Sequence, residues 1–214
     1  MYVETFFNRP SRPFDRSLLI NEMKSATHYL AIASAWFTDM ELAEVVVNSK
    51  ARLRTIILSR ADLNRPGSKE LYEYVLRHHK TFKVDDDEGE EVDAGLHVAV
   101  LGNGDFHEGV MHHKFVIVDD ESVWTGSFNH TYQARRNYEN VVRIQSSKIA
   151  RAYQFEVQEL LRDEALWMGS SQFAFGAGAF RCAACNKIKP MGELGEDGSS
   201  WGRCAECVKS GKNW

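Results

Sequence analysis

Residues 111–119, Met-His-His-Lys-Phe-Val-Ile-Val-Asp, and residues 125–129, Thr-Gly-Ser-Phe-Asn, indicate the fold and its chemistry most directly. The almost entirely apolar stretch 115–118 predicts a central strand that is covered on both faces. Because side chains alternate along a strand, His112 and Lys114 are expected to share one face, and Ser127 and Asn129 to share a face of a neighbouring strand. The sequence therefore predicts an α/β core with a cluster of polar side chains on its central strands.

The chemistry of this cluster suits an anionic, oxygen-rich group. A neutral imidazole such as His112 can attack phosphorus and form a covalent intermediate. Lys114, Ser127 and Asn129 offer one cation and two neutral donors that can stabilise charge on the non-bridging oxygens. Glu139, in the Asn-Tyr-Glu-Asn segment 137–140, is expected to orient the imidazole through its second nitrogen.

These residues resemble the signature of the phospholipase D superfamily, which is His-x-Lys, four residues, Asp, and then Gly-Ser-x-Asn. Asp119 has odd parity relative to His112 and is predicted to point away from it, in turn geometry or in support of the site. The signature positions are all filled in this chain, by His112, Lys114, Asp119, Gly126, Ser127 and Asn129.

The resemblance implies a phospholipase D-like mixed sheet flanked by helices on both faces. It is closest to the nuclease branch with a single motif, whose members pair as homodimers. It then implies a metal-independent phosphodiesterase that cleaves nucleic acid, as an endonuclease and on DNA more than RNA, through a phosphohistidine intermediate at a homodimeric active site. Catalysis would need no cofactor. Two alternatives stay open: a phospholipase D or cardiolipin hydrolase-type lipid phosphodiesterase, and a non-catalytic module that binds nucleic acid.

Periodicity and composition divide the chain into three parts: a catalytic domain over 1–170, a Gly-, Ser- and Ala-rich linker over 171–180, and a C-terminal module over 181–214. Within the first part, Thr38 is expected to cap a helix, with Glu41 completing a capping box. Helices are predicted over 16–26, 40–48, 68–78 and 147–168, and strands over 29–35, 53–58, 96–101 and 115–118.

A second copy of the His-x-Lys, four residues, Asp pattern occurs over residues 78–85. It lacks a following Gly-Ser-x-Asn, and Lys83 interrupts the apolar stretch that a central strand would need. We therefore interpret it as the end of a helix that runs into a short strand, and not as a second catalytic motif.

All four cysteines lie after residue 181, as Cys182-x-x-Cys185 and Cys204-x-x-Cys207. This spacing is typical of a tetrahedral zinc site with four thiolates, and the small, polar loop between the pairs needs metal binding to fold. The segment also resembles zinc-knuckle modules attached to nucleases. We expect a structural Zn²⁺ here, and basic and aromatic residues around it could contact nucleic acid or protein.

The net charge of −4 is concentrated in residues 85–93, where seven of nine positions are acidic, so the rest of the chain carries +3. The overall charge therefore does not exclude a nucleic-acid partner. One hypothesis is that this acidic segment lies near the cleft and repels duplex. Since no apolar run exceeds nine residues, we expect a cytoplasmic protein without stable membrane association.

Overall fold

The structure is a computed structural model that describes residues 1–62, 67–85, 89–102, 109–167, 179–181, 185, 188–190 and 204–211. Cys182 and most of the expected linker lie outside the described residues. In chain order the elements are β1 (Tyr2–Asn8), α1 (Ser17–Ser25), β2 (Tyr29–Ser34), α2 (Met40–Val47), β3 (Leu53–Ser59), α3 (Ser68–Arg77), β4 (Lys80–Asp85), β5 (Glu91–Leu101), β6 (Lys114–Val118), β7 (Ser122–Gly126), β8 (Glu139–Gln145), α4 (Ser147–Trp167), β9 (Ala179–Arg181), β10 (Ile188–Pro190) and α5 (Ala205–Lys209).

Strands β1 to β8 form one mixed sheet in the order β1-β8-β7-β6-β2-β3-β5-β4. The pairs β2–β3 and β3–β5 are parallel, and the other neighbours are antiparallel. The carboxyl ends of β1, β2, β3, β5 and β7 and the amino ends of β6 and β8 therefore meet at one edge of the sheet, which we call the site edge.

Two apolar layers cover the sheet because alternate strand residues face opposite sides. The larger layer packs α1, α2 and α3 on the face that carries Leu30, Ile32 and Val116. The smaller layer packs α4 on the face that carries Ala31, Ala33 and Ile117. The expected sheet with helices on both faces is confirmed, and the strand over 115–118 is buried on both sides as predicted.

The expected cap of α2 is wrong by one residue. Asp39, not Thr38, is the N-cap, and its Oδ1 accepts a hydrogen bond from the backbone N–H of Leu42 at 3.4 Å. Thr38 instead donates its backbone N–H to the carbonyl of His130 at 3.1 Å. This contact ties the loop after β2 to the loop after β7.

The acidic segment lies at the end of the sheet opposite the site edge. Lys80–Asp85 and Glu91–Leu101 pair antiparallel, with Asp85 opposite Glu91, so the described acidic residues lie at this end of the two strands. Strand β5 then runs eleven residues to the site edge, about 35 Å at the usual rise. Within one chain the described part of the segment is thus far from the site edge, which does not support the hypothesis that it lies near the cleft; residues 86–88 lie outside the described residues.

Within the part of the chain that the structure describes, no helix combines the length and the apolar character that crossing a bilayer would demand.

Candidate active site

The site edge gathers the predicted cluster around the start of β6. Lys114 pairs with Ser34 at the end of β2, and the backbone N–H of Ala35 donates to the carbonyl of His113 at 2.9 Å. On the other side, β7 ends at Gly126, beside the start of β8. Residues that are distant in sequence thus converge because three strands end or begin here.

His112 and Lys114 are in direct contact. The Lys114 ammonium lies 3.2 Å from Nδ1 and 3.3 Å from Nε2 of His112, and it donates to the His112 carbonyl at 2.9 Å. The indole of Trp36 meets the imidazole edge to face, with 5.8 Å between ring centroids. His112 itself is exposed, so a substrate can reach its ring from solvent.

The surroundings keep the imidazole neutral at neutral pH. Partial burial, together with the positive charge of Lys114, lowers the pKa of His112 below its usual 6.5. Burial also lowers the pKa of Lys114, and the carboxylate of Glu139 opposes that shift. A neutral imidazole next to a cation is the protonation state that nucleophilic attack on a phosphate requires.

Ser127 and Glu139 form the second half of the cluster. The Ser127 hydroxyl donates to Glu139 Oε2, and the Asn137 amide donates to Oε1 of the same carboxylate at 3.2 Å. The expectation that Glu139 orients the imidazole is therefore not met in the single chain, because this carboxylate binds Ser127 and Asn137. Gly126 is required here, since a Cβ at this position would lie 2.2 Å from the carbonyl oxygen of Asn140.

Ser127 and Asn129 do not share a strand face, because β7 ends before them. Ser127 is exposed, whereas Asn129 is 7% exposed and its Oδ1 has no hydrogen-bond partner among the described residues. The two side chains are placed by a loop, which the assumption of a continued strand did not anticipate.

Asp119 lies at the opposite end of β6 from His112, so that the five-residue strand, about 16 Å long, separates them. With φ of +48° it turns the chain. Its carboxylate accepts backbone N–H groups from Thr27 at 3.2 Å, His28 at 2.8 Å and Tyr29 at 2.9 Å. The structure thus brings His112, Lys114, Ser127, Asn129 and Glu139 to the site edge and separates Asp119 from them.

A buried charged network supports the loops around the site, and the sequence analysis missed it. Asp39 is 1% exposed and accepts Arg16 at 2.7 Å and Arg135 at 3.2 Å. Burial raises the pKa of Asp39, and Arg16 opposes that shift. His130 lies behind this network, and its burial lowers its pKa to about 3.

Asn8 is a second supporting residue that sequence reasoning missed. It is 2% exposed, and its amide donates to the carbonyls of Ala134, Arg135 and Asn137 at 3.1, 3.2 and 2.7 Å. In the sequence, Asn8 only ends a stretch in which apolar and polar residues alternate. No local pattern distinguishes such an asparagine from one in a turn.

Three cysteines cluster in the C-terminal part. The Sγ atoms of Cys185, Cys204 and Cys207 lie within 4.8 Å of one another, and Cys204 and Cys207 are buried. A tetrahedral zinc with bonds of about 2.3 Å places its sulfurs about 3.8 Å apart. The three thiols therefore fit the donor set and the size of such a site.

Comparison with known proteins identifies the class to which this fold and site belong. Residues 19–161, more than half of the chain, match the family described as the phospholipase D-like domain of cardiolipin synthase. The chain therefore belongs to the phospholipase D-like superfamily.

Individual relatives are more distant. A phospholipase D of Rickettsia prowazekii is 29% identical over 138 residues, which cover 63% of this chain and 57% of that protein. The chain thus spans little more than half the length of this relative. A mitochondrial cardiolipin hydrolase of Xenopus laevis is 46% identical over 57 residues, which cover 26% of this chain and 27% of that protein.

Two solved structures share the fold. Nuc from Salmonella typhimurium, a phospholipase D family member, matches with a TM-score of 0.56 and 20% identity, over 75% of this chain and 95% of Nuc. NucT from Helicobacter pylori matches with the same TM-score and identity, over 75% of this chain and 97% of NucT. The match extends through nearly all of both proteins, which supports the overall arrangement of the sheet.

Proposed function

We propose that the chain is a metal-independent phosphodiesterase that cleaves nucleic acid at an active site built from two copies of the chain. The observation that carries this proposal is the contact between a neutral His112 and the Lys114 ammonium, next to the Ser127, Glu139 and Asn129 side chains. This set combines a nucleophile with donors for phosphate oxygens.

In the first step, a ring nitrogen of His112 attacks phosphorus, and the bond from phosphorus to the leaving oxygen breaks. His112 of a second copy, in its protonated form, gives that oxygen its proton; the charge of the substrate phosphate favours this protonated form. In the second step, water attacks the phosphohistidine, gives its proton to the second imidazole and releases the imidazole of the first. Lys114 and Asn129 stabilise the charge on the non-bridging oxygens throughout.

A second copy is needed because, among the residues that the structure describes, the cluster at the site edge holds one imidazole for two roles. The pattern over 78–85 does not supply the other, since β4 stands four strands from β6, about 19 Å away. Nδ1 of His78, the histidine of that pattern, lies 2.7 Å from the carbonyl oxygen of Tyr74 in α3. We therefore infer a homodimer that brings two copies of His112 together.

The distribution of charge favours nucleic acid over lipid. Arg9, Arg12 and Arg136 are exposed at the site edge, and the acidic hairpin lies at the far end of the same sheet. A polyanionic strand is attracted to such an edge.

The test is a substrate panel in EDTA. Single-stranded and duplex DNA, RNA, and liposomes of phosphatidylcholine or cardiolipin are incubated with wild type and with His112→Ala. We expect cleavage of nucleic acid that is lost in His112→Ala and kept in the matched control His113→Ala, whose ring pairs with Glu156 at 3.2 Å. Cleavage of liposomes alone would favour the lipid alternative, and binding without any cleavage would favour the non-catalytic module.

Two further measurements test the mechanism and the assembly. Wild type that is quenched during turnover should carry an acid-labile phosphohistidine adduct, and His112→Asn should not. Sedimentation should give a dimer at the concentrations where the protein is active. Full activity of a monomer would contradict the shared site.

We also propose that Cys182, Cys185, Cys204 and Cys207 bind a structural Zn²⁺. The clustering of the three described thiols supports this proposal, and Cys182 completes the two Cys-x-x-Cys pairs. About one zinc per chain should be found in freshly purified protein, and less in Cys204→Ser with Cys207→Ser. Because the proposed cleavage step uses no metal, cleavage by the metal-loaded protein should persist in EDTA for as long as the module retains its zinc.

A further inference from the structure

Tyr138 is an exposed aromatic residue that lies next to Glu139 of the catalytic cluster but has no role in the proposed cleavage steps. Tyr138 is 80% exposed, although it lies between Asn137 and Glu139, whose side chains are hydrogen-bonded to each other. Phe7 in β1 is 63% exposed, and it pairs with Asn140, two residues from Tyr138. Tyr138 directly precedes β8, so the two exposed rings lie near the same end of the β1–β8 pair.

Two arginines lie close in sequence to these rings. Arg136 is two residues before Tyr138, and Arg9 directly follows Asn8, whose partner in β8 is Glu139, the residue after Tyr138. Both arginines are exposed, and neither forms an ion pair with any residue that the structure describes. We call Phe7, Arg9, Arg136 and Tyr138 the Tyr138 patch.

We propose that the Tyr138 patch binds an unpaired segment of the nucleic-acid strand next to the scissile phosphate, with Tyr138 stacking on a base and Arg9 and Arg136 contacting phosphates. This inference rests on the proposed function and narrows its substrate to single strands. Stacking requires a base whose face is free, and in a duplex both faces are covered by neighbouring base pairs. An aromatic ring between arginines is the usual composition of a surface that follows a single strand.

The position of Tyr138 supports this role over a purely local one. The backbone of Asn140 bonds to Ser127 in both directions, at 3.1 Å each, so the start of β8 is fixed relative to the catalytic hydroxyl. A base stacked on Tyr138 would therefore hold the adjacent phosphate at a constant distance from Ser127 and His112. Such fixed placement of a remote substrate group contributes to the rate of cleavage as well as to binding.

Charge favours a strand over a second copy of the chain as the occupant of the patch. A symmetric contact through the patch would bring the four arginines of the two copies close together, and the patch contains no carboxylate to neutralise them. A polyanion instead neutralises both guanidinium groups. We therefore expect the patch to remain free in the dimer that forms the active site.

The test uses Tyr138→Ala, Tyr138→Phe and the matched control Tyr2→Ala, an exposed tyrosine at the other end of β1 that is 56% exposed. Binding is measured by fluorescence anisotropy in a His112→Asn background, so that it does not depend on catalysis. The probes are a labelled single-stranded oligothymidylate, the same strand with abasic residues, and a duplex. Circular dichroism and thermal melts establish that each variant is folded.

Tyr138→Ala should raise the Kd for the single strand roughly ten- to a hundred-fold and leave the Kd for the abasic strand and the duplex unchanged. Tyr138→Phe should behave like the parent, since its ring still stacks. Arg136→Gln should weaken binding of the normal and the abasic strand alike and reduce the salt dependence by about one ion.

Equal loss for single strand, abasic strand and duplex would overturn the proposal, and so would no loss at all. The proposal would also be overturned if the Tyr138→Ala dimer dissociated in sedimentation while the Kd values for the normal and the abasic strand changed equally. That result would assign the patch to the contact between two copies of the chain. A wild-type protein that binds single strands through Tyr138 but cleaves no phosphodiester would refute the proposed function and leave this inference standing.

Discussion

The Asn8 side-chain amide donates to the backbone carbonyl of Asn137 at 2.7 Å, and so joins the first strand to the loop that carries Tyr138 and Glu139. The same side chain accepts the backbone N–H of Phe14 at 2.9 Å. One buried asparagine thus satisfies backbone groups of the loop after β1 and of the loop before β8. It fixes the backbone two residues before Glu139, whose carboxylate binds Ser127.

We predict that Asn8→Ala lowers the free energy of unfolding by about 2–4 kcal/mol, because it leaves several buried backbone groups without partners. Asn8→Asp should be worse at neutral pH than at acidic pH, since a carboxylate cannot donate to carbonyls and its charge faces their oxygens. Urea unfolding gives these values, and cleavage by the folded fraction should fall as Glu139 loses its support. The matched control is Asn48→Ala on the surface of α2, which should cost under about 1 kcal/mol; equal costs for the two variants would contradict the prediction.

The contact between Lys114 and His112 leads to a prediction about pKa that does not depend on activity. Because the charge of Lys114 contributes to lowering the pKa of His112, Lys114→Met should raise that pKa. Titration of the imidazole by NMR measures it directly. Lys24→Met on α1 serves as the control and should leave the pKa where it is. A pKa that stays the same or falls in Lys114→Met would show that burial alone sets the protonation of His112.

The protonation of His112 also sets the acid limb of the pH–rate profile. In wild type, the acid limb for formation of the phosphohistidine in a single turnover should lie below pH 6.5, because the pKa of the nucleophile is lowered from that value.

Local sequence predicted the regular core and the identity of the cluster, but not how the cluster is assembled. The apolar stretch 115–118 has the length and composition of a buried strand, so its prediction required no tertiary information. The placement of Ser127 and Glu139 depends on where β7 ends, and Gly126 decides that through a close approach to Asn140 that only the folded sheet creates. The roles of Asn8 and Asp39 depend on partners about a hundred residues away, which no local pattern encodes.

Asp119 illustrates how a signature residue can serve structure and not chemistry. Its carboxylate accepts three successive backbone N–H groups where the chain enters β2, at the end of β6 away from His112. We predict that Asp119→Ala lowers the free energy of unfolding by about 1–3 kcal/mol, because those donors lose their acceptor and alanine is strained at φ of +48°. Asp119→Asn should cost less, since its amide oxygen still accepts and asparagine tolerates this conformation.

Cleavage per folded molecule should be unchanged within about two-fold in both Asp119 variants, because kcat depends on groups about 16 Å away. Thermal melts and kcat are measured on the same preparations. A variant with wild-type stability and a kcat lowered a hundred-fold would show instead that Asp119 acts on the reaction.

His130 makes the stability of the fold depend on pH. Burial among Arg16, Lys114 and the surrounding loops lowers its pKa to about 3, against 6.5 in an unfolded chain. Between these two pH values the unfolded state binds a proton that the folded state does not. The folded state with neutral His130 therefore has its full stability above pH 6.5, and it loses stability as the pH falls towards 3. The contribution of His130 to the slope of the free energy of unfolding against pH approaches about 1.4 kcal/mol per pH unit.

In His130→Phe, which keeps a ring against Phe37, the free energy of unfolding should decline less steeply between pH 6.5 and 4 than in wild type. Other titrating groups are common to both proteins and cancel in the difference, and His28→Phe at an exposed position should keep the wild-type slope. Parallel curves for His130→Phe and wild type would mean that His130 is protonated without unfolding, through an opening of the loops at the site edge.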